Sequence, residues 1–221
     1  MTAETIDLFT NEDVALVLVD PQPGLSFVAQ SMDHQLLLSN LTALAKVATV
    51  FGLPTVVTTS ATAKFSGPWF PEVRAALGQR ESIERTTMNA FEDTKVRAAV
   101  AATGRKRILL AGLLTEACVA FTALSALQAG YRVHVVVDAC AASSVVAHET
   151  SVRLMERAGM VPRTWLQTLL ELQRDWTRHA TYAGALAILK EHGGNYGIGL
   201  TYAAAMASAR EGVASGAEHR G

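Results

Sequence analysis

Residues 104–140 read GRKRILLAGLLTEACVAFTALSALQAGYRVHVVVDAC. Within them RILLAGL is a continuous apolar run of strand length, the mark of a strand buried on both faces. From Glu116 the period changes: Val119, Phe121, Leu124 and Leu127 recur at helical spacing until Gly130, which stands where a C-cap glycine would. A second buried strand, VHVVVD, follows. Strand, tight turn, helix and strand make one right-handed βαβ unit, and that unit commits the chain to parallel strands.

Cys118 falls in the first turn of that helix, just past the carboxyl end of its strand, where open parallel sheets hold their ligands. Exposed amides and the positive end of the helix dipole favour a thiolate there. The backbone N–H groups of Ala117 and Cys118 are in place to hold a developing oxyanion. A second reading stands beside this one, because free cysteine is commonly a small, buried and inert residue.

Working outward, VALVLVD (14–20) is another buried strand, closed by Asp20 and the turn residues PQPG. Packing explains a carboxylate there poorly; it either caps the loop or belongs to a site. Residues 33–51 predict a helix whose buried stripe is Leu36, Leu37, Leu41, Leu44, Val47 and Ala48. After it come the strand TVVTTS and a loop, ATAKFSGPWFPEV, whose Phe65, Trp69 and Phe70 either wall a pocket or pack beneath the loop. An extended piece at 83–86 precedes a helix from about 92 to 103, and it carries Arg85, either a third arm of the site or a solvated surface cation.

Composition narrows the class. The chain has 221 residues and a formal net charge of -1, which gives no electrostatic reason to expect nucleic acid or an acidic membrane surface. The opening MTAETIDLFTNED lacks the basic start and apolar stretch of a signal peptide, and no segment approaches a transmembrane length. Cys118 and Cys140 are the two cysteines, too few for a disulfide framework, which suits a reducing cytosol; a cytoplasmic location is expected.

Three separated pieces now stand in a known order: Asp20 in LVLVDPQPGL, Arg85 six residues before Phe91, and Cys118 in AGLLTEACV. Together they resemble the isochorismatase-like cysteine hydrolases. The segments MNAFED, GLLTEACVAFTALSAL, VDA, LMERAGMVPRTW and LELQRDW point to the YcaC-like branch, and the resemblance runs from about Val14 to Asp175. It implies an α/β three-layer sandwich around a six-stranded parallel sheet, Rossmann-like in order. It also implies an Asp-Lys-Cys triad, here Asp20, Arg85 and Cys118, that cleaves a small amide through a thioester. A cis peptide at Leu114-Thr115, no cofactor, and a substrate site including Gln22, Phe27, Trp69, Asn89 and Phe91 complete what the resemblance implies.

The departure is at the cation. A guanidinium is effectively never deprotonated, so Arg85 lends charge without shuttling a proton; Lys64 and Lys95 are the alternatives, in a different loop and in the following helix. The loop ATAKFSGPWFPEV has no histidine, which argues against the metal site of nicotinamidases, and DPQPGLS is not a dinucleotide-binding turn. Cys140 stands where relatives usually carry serine, and is either a redox partner of Cys118 or a serine-sized replacement. His148, in VVAHETSVRLMERAG, reads as structural, and Pro162 places its strand at an edge. Residues 1–192 read as a single domain, and 193–221 as an Ala/Gly-rich tail or an arm ordered on a neighbouring subunit. Apolar helices beyond Arg163 predict a homo-oligomer. The alternative function is a catalytically weakened member, an oligomeric binder of small carbonyl compounds or a thiol sensor.

Overall fold

The computed structural model describes residues 8–78 and 80–218. Six strands form one sheet in which every neighbouring pair is parallel: β1 (Val14–Val19), β2 (Thr55–Ser60), β3 (Ile83–Arg85), β4 (Arg107–Leu113), β5 (Arg132–Ala141) and β6 (Val161–Arg163). They lie in the order β3-β2-β1-β4-β5-β6. The order reverses between β1 and β4, and that is where a doubly wound sheet opens a crevice at its carboxyl edge. All of β1 and all of β4 are buried, as their unbroken apolar runs require when helices cover both faces.

The helices are α1 (Pro23–Ser26), α2 (His34–Val50), α3 (Pro71–Ala76), α4 (Thr94–Ala102), α5 (Ala120–Gln128), α6 (Val145–Arg157), α7 (Trp165–Gln173), α8 (His179–His192) and α9 (Asn195–Glu218). On one face α2 packs with α3, α7 and α8; on the other α5 packs with α6 and with the short 3-10 turn Ala90–Glu92 that leads into α4. The three-layer α/β sandwich expected from the sequence is therefore the fold. Asp33 begins α2 as its N-cap, its carboxylate accepting the Leu36 N–H at 2.9 Å.

Two expectations are corrected. Leu36 points outward, one residue off the buried stripe that Leu37, Leu41 and Leu44 form. In α5 the buried face is Ala120, Ala123 and Ala126 while Phe121 is exposed. The reason is a π-helical turn, Thr115–Val119, ahead of α5: its wider spacing adds a residue and rotates the face that a plain α-helix from Glu116 would present. Of the two readings for the residues after Gly193, a loose tail or an arm, the 24-residue α9 has the form of an arm. Residues 219–221 lie outside the described residues. Pro162 sits in β6, an edge strand as expected.

The central seam is held by two backbones in close approach. Gly112 pairs with Val19 across β4 and β1 and has φ 133°. A Cβ there would lie 1.8 Å from the Val19 carbonyl oxygen, so neither its conformation nor its surroundings admit a side chain. Gly112→Ala is expected to destabilise the protein by about 3 kcal/mol, from backbone strain plus the displaced seam. Thermal unfolding should show a Tm lowered by roughly 6–12 °C; an unchanged Tm would contradict this reading of the seam.

Candidate active site

Asp20 follows β1 directly, with φ 49°, a left-handed conformation that aspartate tolerates better than most side chains. Its N–H donates to the Thr58 carbonyl at 2.9 Å, so β2 fixes the turn. Asp20 is fully buried and Arg85 is 2% exposed. Arg85 Nη2 donates to Asp20 Oδ2 at 2.6 Å, Nε donates to Thr58 Oγ1 at 3.0 Å, and Nη1 donates to the Thr87 carbonyl. The guanidinium is thereby locked in orientation as well as paired. Asp20 Oδ1 has no hydrogen-bond partner of its own. Besides Arg85, the groups that bear on this carboxylate are the Cys118 thiol and the Ser60 hydroxyl.

Cys118 is partly buried and lies near the middle of the π turn, whose Leu114 carbonyl accepts both the Ala117 N–H at 3.2 Å and the Val119 N–H at 3.1 Å. Asp20, Arg85 and Cys118, distant along the chain, thus converge at the crevice between β1 and β4. Lys64 and Lys95 do not join them: both are exposed, one in the loop after β2 and the other in the first turn of α4.

Burial dominates the protonation of Asp20 and Cys118. It raises the Asp20 pKa above its ordinary 3.8 even though the Arg85 charge pulls the other way. It also pushes the Cys118 thiol up to about 11, with the Asp20 charge adding to the rise and Arg85 opposing it. The helix-end thiolate anticipated from sequence is therefore absent at neutral pH; desolvation and a carboxylate neighbour outweigh the backbone dipoles.

Several expected roles are placed differently. The non-proline cis peptide is Leu113-Leu114, not Leu114-Thr115, because β4 runs to Leu113 and the chain departs from its last residue. Of the two amides assigned to an oxyanion, the Ala117 N–H is engaged with Leu114. Gln22 is fully buried and spans two loops, its amide accepting the Ser60 N–H at 2.9 Å and donating to the Ser60 and Gly67 carbonyls. Asn89 donates to Ser125 Oγ at 2.8 Å and accepts the Phe91 N–H at 3.0 Å, and the neighbouring Ala90 N–H donates to Thr122 Oγ1 at 2.9 Å. These bonds pin α5 to the segment carrying Arg85. Trp69 packs into the core, and Phe91 stacks edge-on against Tyr131, beyond the far end of α5 from Cys118. Phe27 is 75% exposed.

Sequence reasoning passed over Thr58 and Ser60. The signal was present: TVVTTS puts hydroxyls into a buried strand near its carboxyl end, and residues two apart share a face. Cys140, opposite Gly112, is fully buried with its thiol pushed up to about 12 by burial, a poor start for thiol exchange. Among the described residues no group of three or more His, Cys, Asp or Glu side chains is gathered to hold a metal ion, and no helix is long and apolar enough to cross a membrane.

Comparison with known proteins agrees with this fold. The Isochorismatase domain model matches residues 14–167. The chain is 37% identical over 177 residues to the probable hydrolase YcaC of Escherichia coli, spanning 80% of this chain and 85% of that protein. The E. coli YcaC crystal structure, described as an octameric hydrolase of unknown specificity, superposes with a TM-score of 0.87 at 33% identity, over 92% of this chain and 100% of that one. YcaC from Pseudomonas aeruginosa, solved with hexane-2,5-diol and covalent acrylamide, superposes at 0.86 with 34% identity, over 90% and 98%. The chain belongs to the isochorismatase family, and within it to the YcaC-like proteins.

Proposed function

We propose that this protein is a cysteine hydrolase that cleaves the carbon–nitrogen bond of a small amide through a thioester on Cys118. The observation that carries the reading is Asp20: a buried carboxylate with one oxygen fixed by Arg85 and the other unpartnered beside a thiol. That is the arrangement of a general base waiting on a nucleophile.

As the Cys118 sulfur attacks the amide carbonyl carbon, its proton passes to Asp20 Oδ1 and the carbonyl π pair moves to oxygen. The oxyanion then collapses, the carbon–nitrogen bond breaks, and the departing nitrogen takes the proton from Asp20. Water attacks the thioester in the same way, giving its proton to Asp20. Collapse breaks the carbon–sulfur bond and the sulfur recovers that proton, leaving a carboxylic acid. Arg85 keeps its charge throughout and holds Asp20 in register. The thiol's pKa of about 11 also weighs against the thiol-sensor reading, since redox-sensing cysteines have low pKa values and open access. The covalent acrylamide in the P. aeruginosa relative supports a nucleophile that a small amide can reach in this fold.

Acrylamide is therefore a direct probe. Mass spectrometry should find one adduct on Cys118, none in Cys118→Ala, and an addition rate roughly 100-fold lower in Asp20→Asn at neutral pH. Equal rates with and without the carboxylate would sink the base. Screening small amides for ammonia release, with Cys118→Ala as control, identifies the substrate.

The pH dependence follows from the two shifts. Asp20 serves as base only when ionised, and its pKa is raised, so activity is lost as pH falls through a value above 3.8. Simple alkylation of the Asp20→Asn thiol, which needs the thiolate, should still be climbing at pH 9–10, past the midpoint of an ordinary cysteine. An alkylation plateau near pH 8 would contradict the burial argument.

Self-association is part of the proposal. Trp176, Tyr182, Tyr196, Ile198, Tyr202 and Met206 leave apolar surface on α8, α9 and the segment before them, and the E. coli relative is an octamer. Light scattering after size exclusion should give a multiple of the chain mass; a monomer at micromolar concentration would refute it.

A further inference from the structure

One contact on the Cys118 turn has no part in the scheme above. Asp20 follows β1 on one side of β4, while α6 follows β5 on the other. From that second side His148 of α6 meets Thr115, the fully buried first residue of the turn, with Nδ1 and Oγ1 2.9 Å apart. The next residue is tied in the same direction, Glu116 Oε1 accepting the Ser143 N–H at 2.9 Å.

The turn needs such anchors. Within it the Leu114 carbonyl is shared by the Ala117 and Val119 N–H groups at 3.2 and 3.1 Å, and the Ala120 N–H is divided between the Thr115 and Ala117 carbonyls, shared bonds where a regular helix has separate ones. Downstream, Thr122 and Ser125 pin α5 to Ala90 and Asn89. Upstream, Thr115 is the fixed point, so Cys118 is suspended between the two. The His148 ring borders one cavity of about 220 Å³, shared with Ser31, Met32, Val137, Asp138 and Cys140, and another of about 210 Å³ beside Val152 and Arg153, so its hydrogen bond to Thr115 is made from a ring with open space on part of its surface.

We propose that His148 is a positioning residue which, through Thr115, fixes the turn that aims the Cys118 sulfur at Asp20. This rests on reading Cys118 as the nucleophile. In this role the imidazole acts on the reaction through the Thr115 hydroxyl. No residue pattern around His148 announces this, because the bond spans 33 positions of sequence.

The test is acrylamide addition to Cys118 at pH 7.5, followed by mass spectrometry on the full chain, with thermal unfolding recorded for each protein. His148→Ala and Thr115→Val should each slow addition about tenfold, and the double variant should be no slower than either, since both remove one bond. His148→Asn, whose amide reaches the place of Nδ1, should restore the rate to within about threefold of wild type. A His148→Ala protein that reacts like wild type overturns the proposal, as does an Asn variant as slow as Ala or a double variant showing the product of two independent losses. Should His148→Ala fail to fold, Thr115→Val and His148→Asn decide alone. A wild-type thiol no faster than free cysteine removes the nucleophile reading and this inference with it, whereas a fast wild type with an equally fast His148→Ala removes this inference only.

Discussion

A carboxylate and a guanidinium, both sealed from solvent, meet at 2.6 Å on one rim of the sheet, and much of the site exists to make that pairing tolerable. Taking two such ions out of water costs several kcal/mol each, and mutual attraction repays it only when geometry and further hydrogen bonds are good. Arg85 has them: Asp20, the Thr58 hydroxyl and the Thr87 carbonyl occupy its three donor groups. The strand order supplies the placement, because β2 lies between β1 and β3 and so sets Thr58 between the end that carries Asp20 and the end that carries Arg85. Asp20 is treated unequally. One oxygen is satisfied and the other is not, which is wasteful in a structural ion pair and useful beside a thiol.

Around this pair the polar side chains divide between chemistry and scaffolding. Gln22 closes the loop after β1 onto the loop after β2, and Gly24 lets them approach so nearly that a Cβ there would lie 2.1 Å from the Phe65 carbonyl oxygen. Asn89 and Thr122 fasten α5 to the segment after β3. These residues look like substrate ligands by position, being polar and close to the crevice. In Gln22 and Asn89 both the amide nitrogen and the amide oxygen are engaged within the chain.

Much of the architecture is legible in the residues alone. Buried parallel strands declare themselves by unbroken apolar runs, and β1, β2 and β4 coincide with VALVLV, TVVTTS and RILLAGL. Asp20 and Cys118 are legible for a related reason: a charged or reactive side chain ending such a run has little structural excuse. What the sequence hides is anything that depends on helical phase or on distant pairing. The π turn looks like ordinary helix, and its extra residue turns Phe121 outward and brings three alanines onto the sheet. Likewise the depth of burial, invisible in a list of residues, decides that Cys118 rests as a thiol when its place at a helix start suggested otherwise.

An arginine in the cationic position has one more effect. Because its charge does not vary with pH, the proton affinity of Asp20 is left to the dryness of the crevice, the factor that already dominates it. In the proposed reaction each amide would therefore adjust the base that attacks it: a bulky, oily acyl group would drive out water and sharpen Asp20, while a small hydrophilic one would leave it wetted and blunt. Such an enzyme would sort its substrates by turnover rather than by grip.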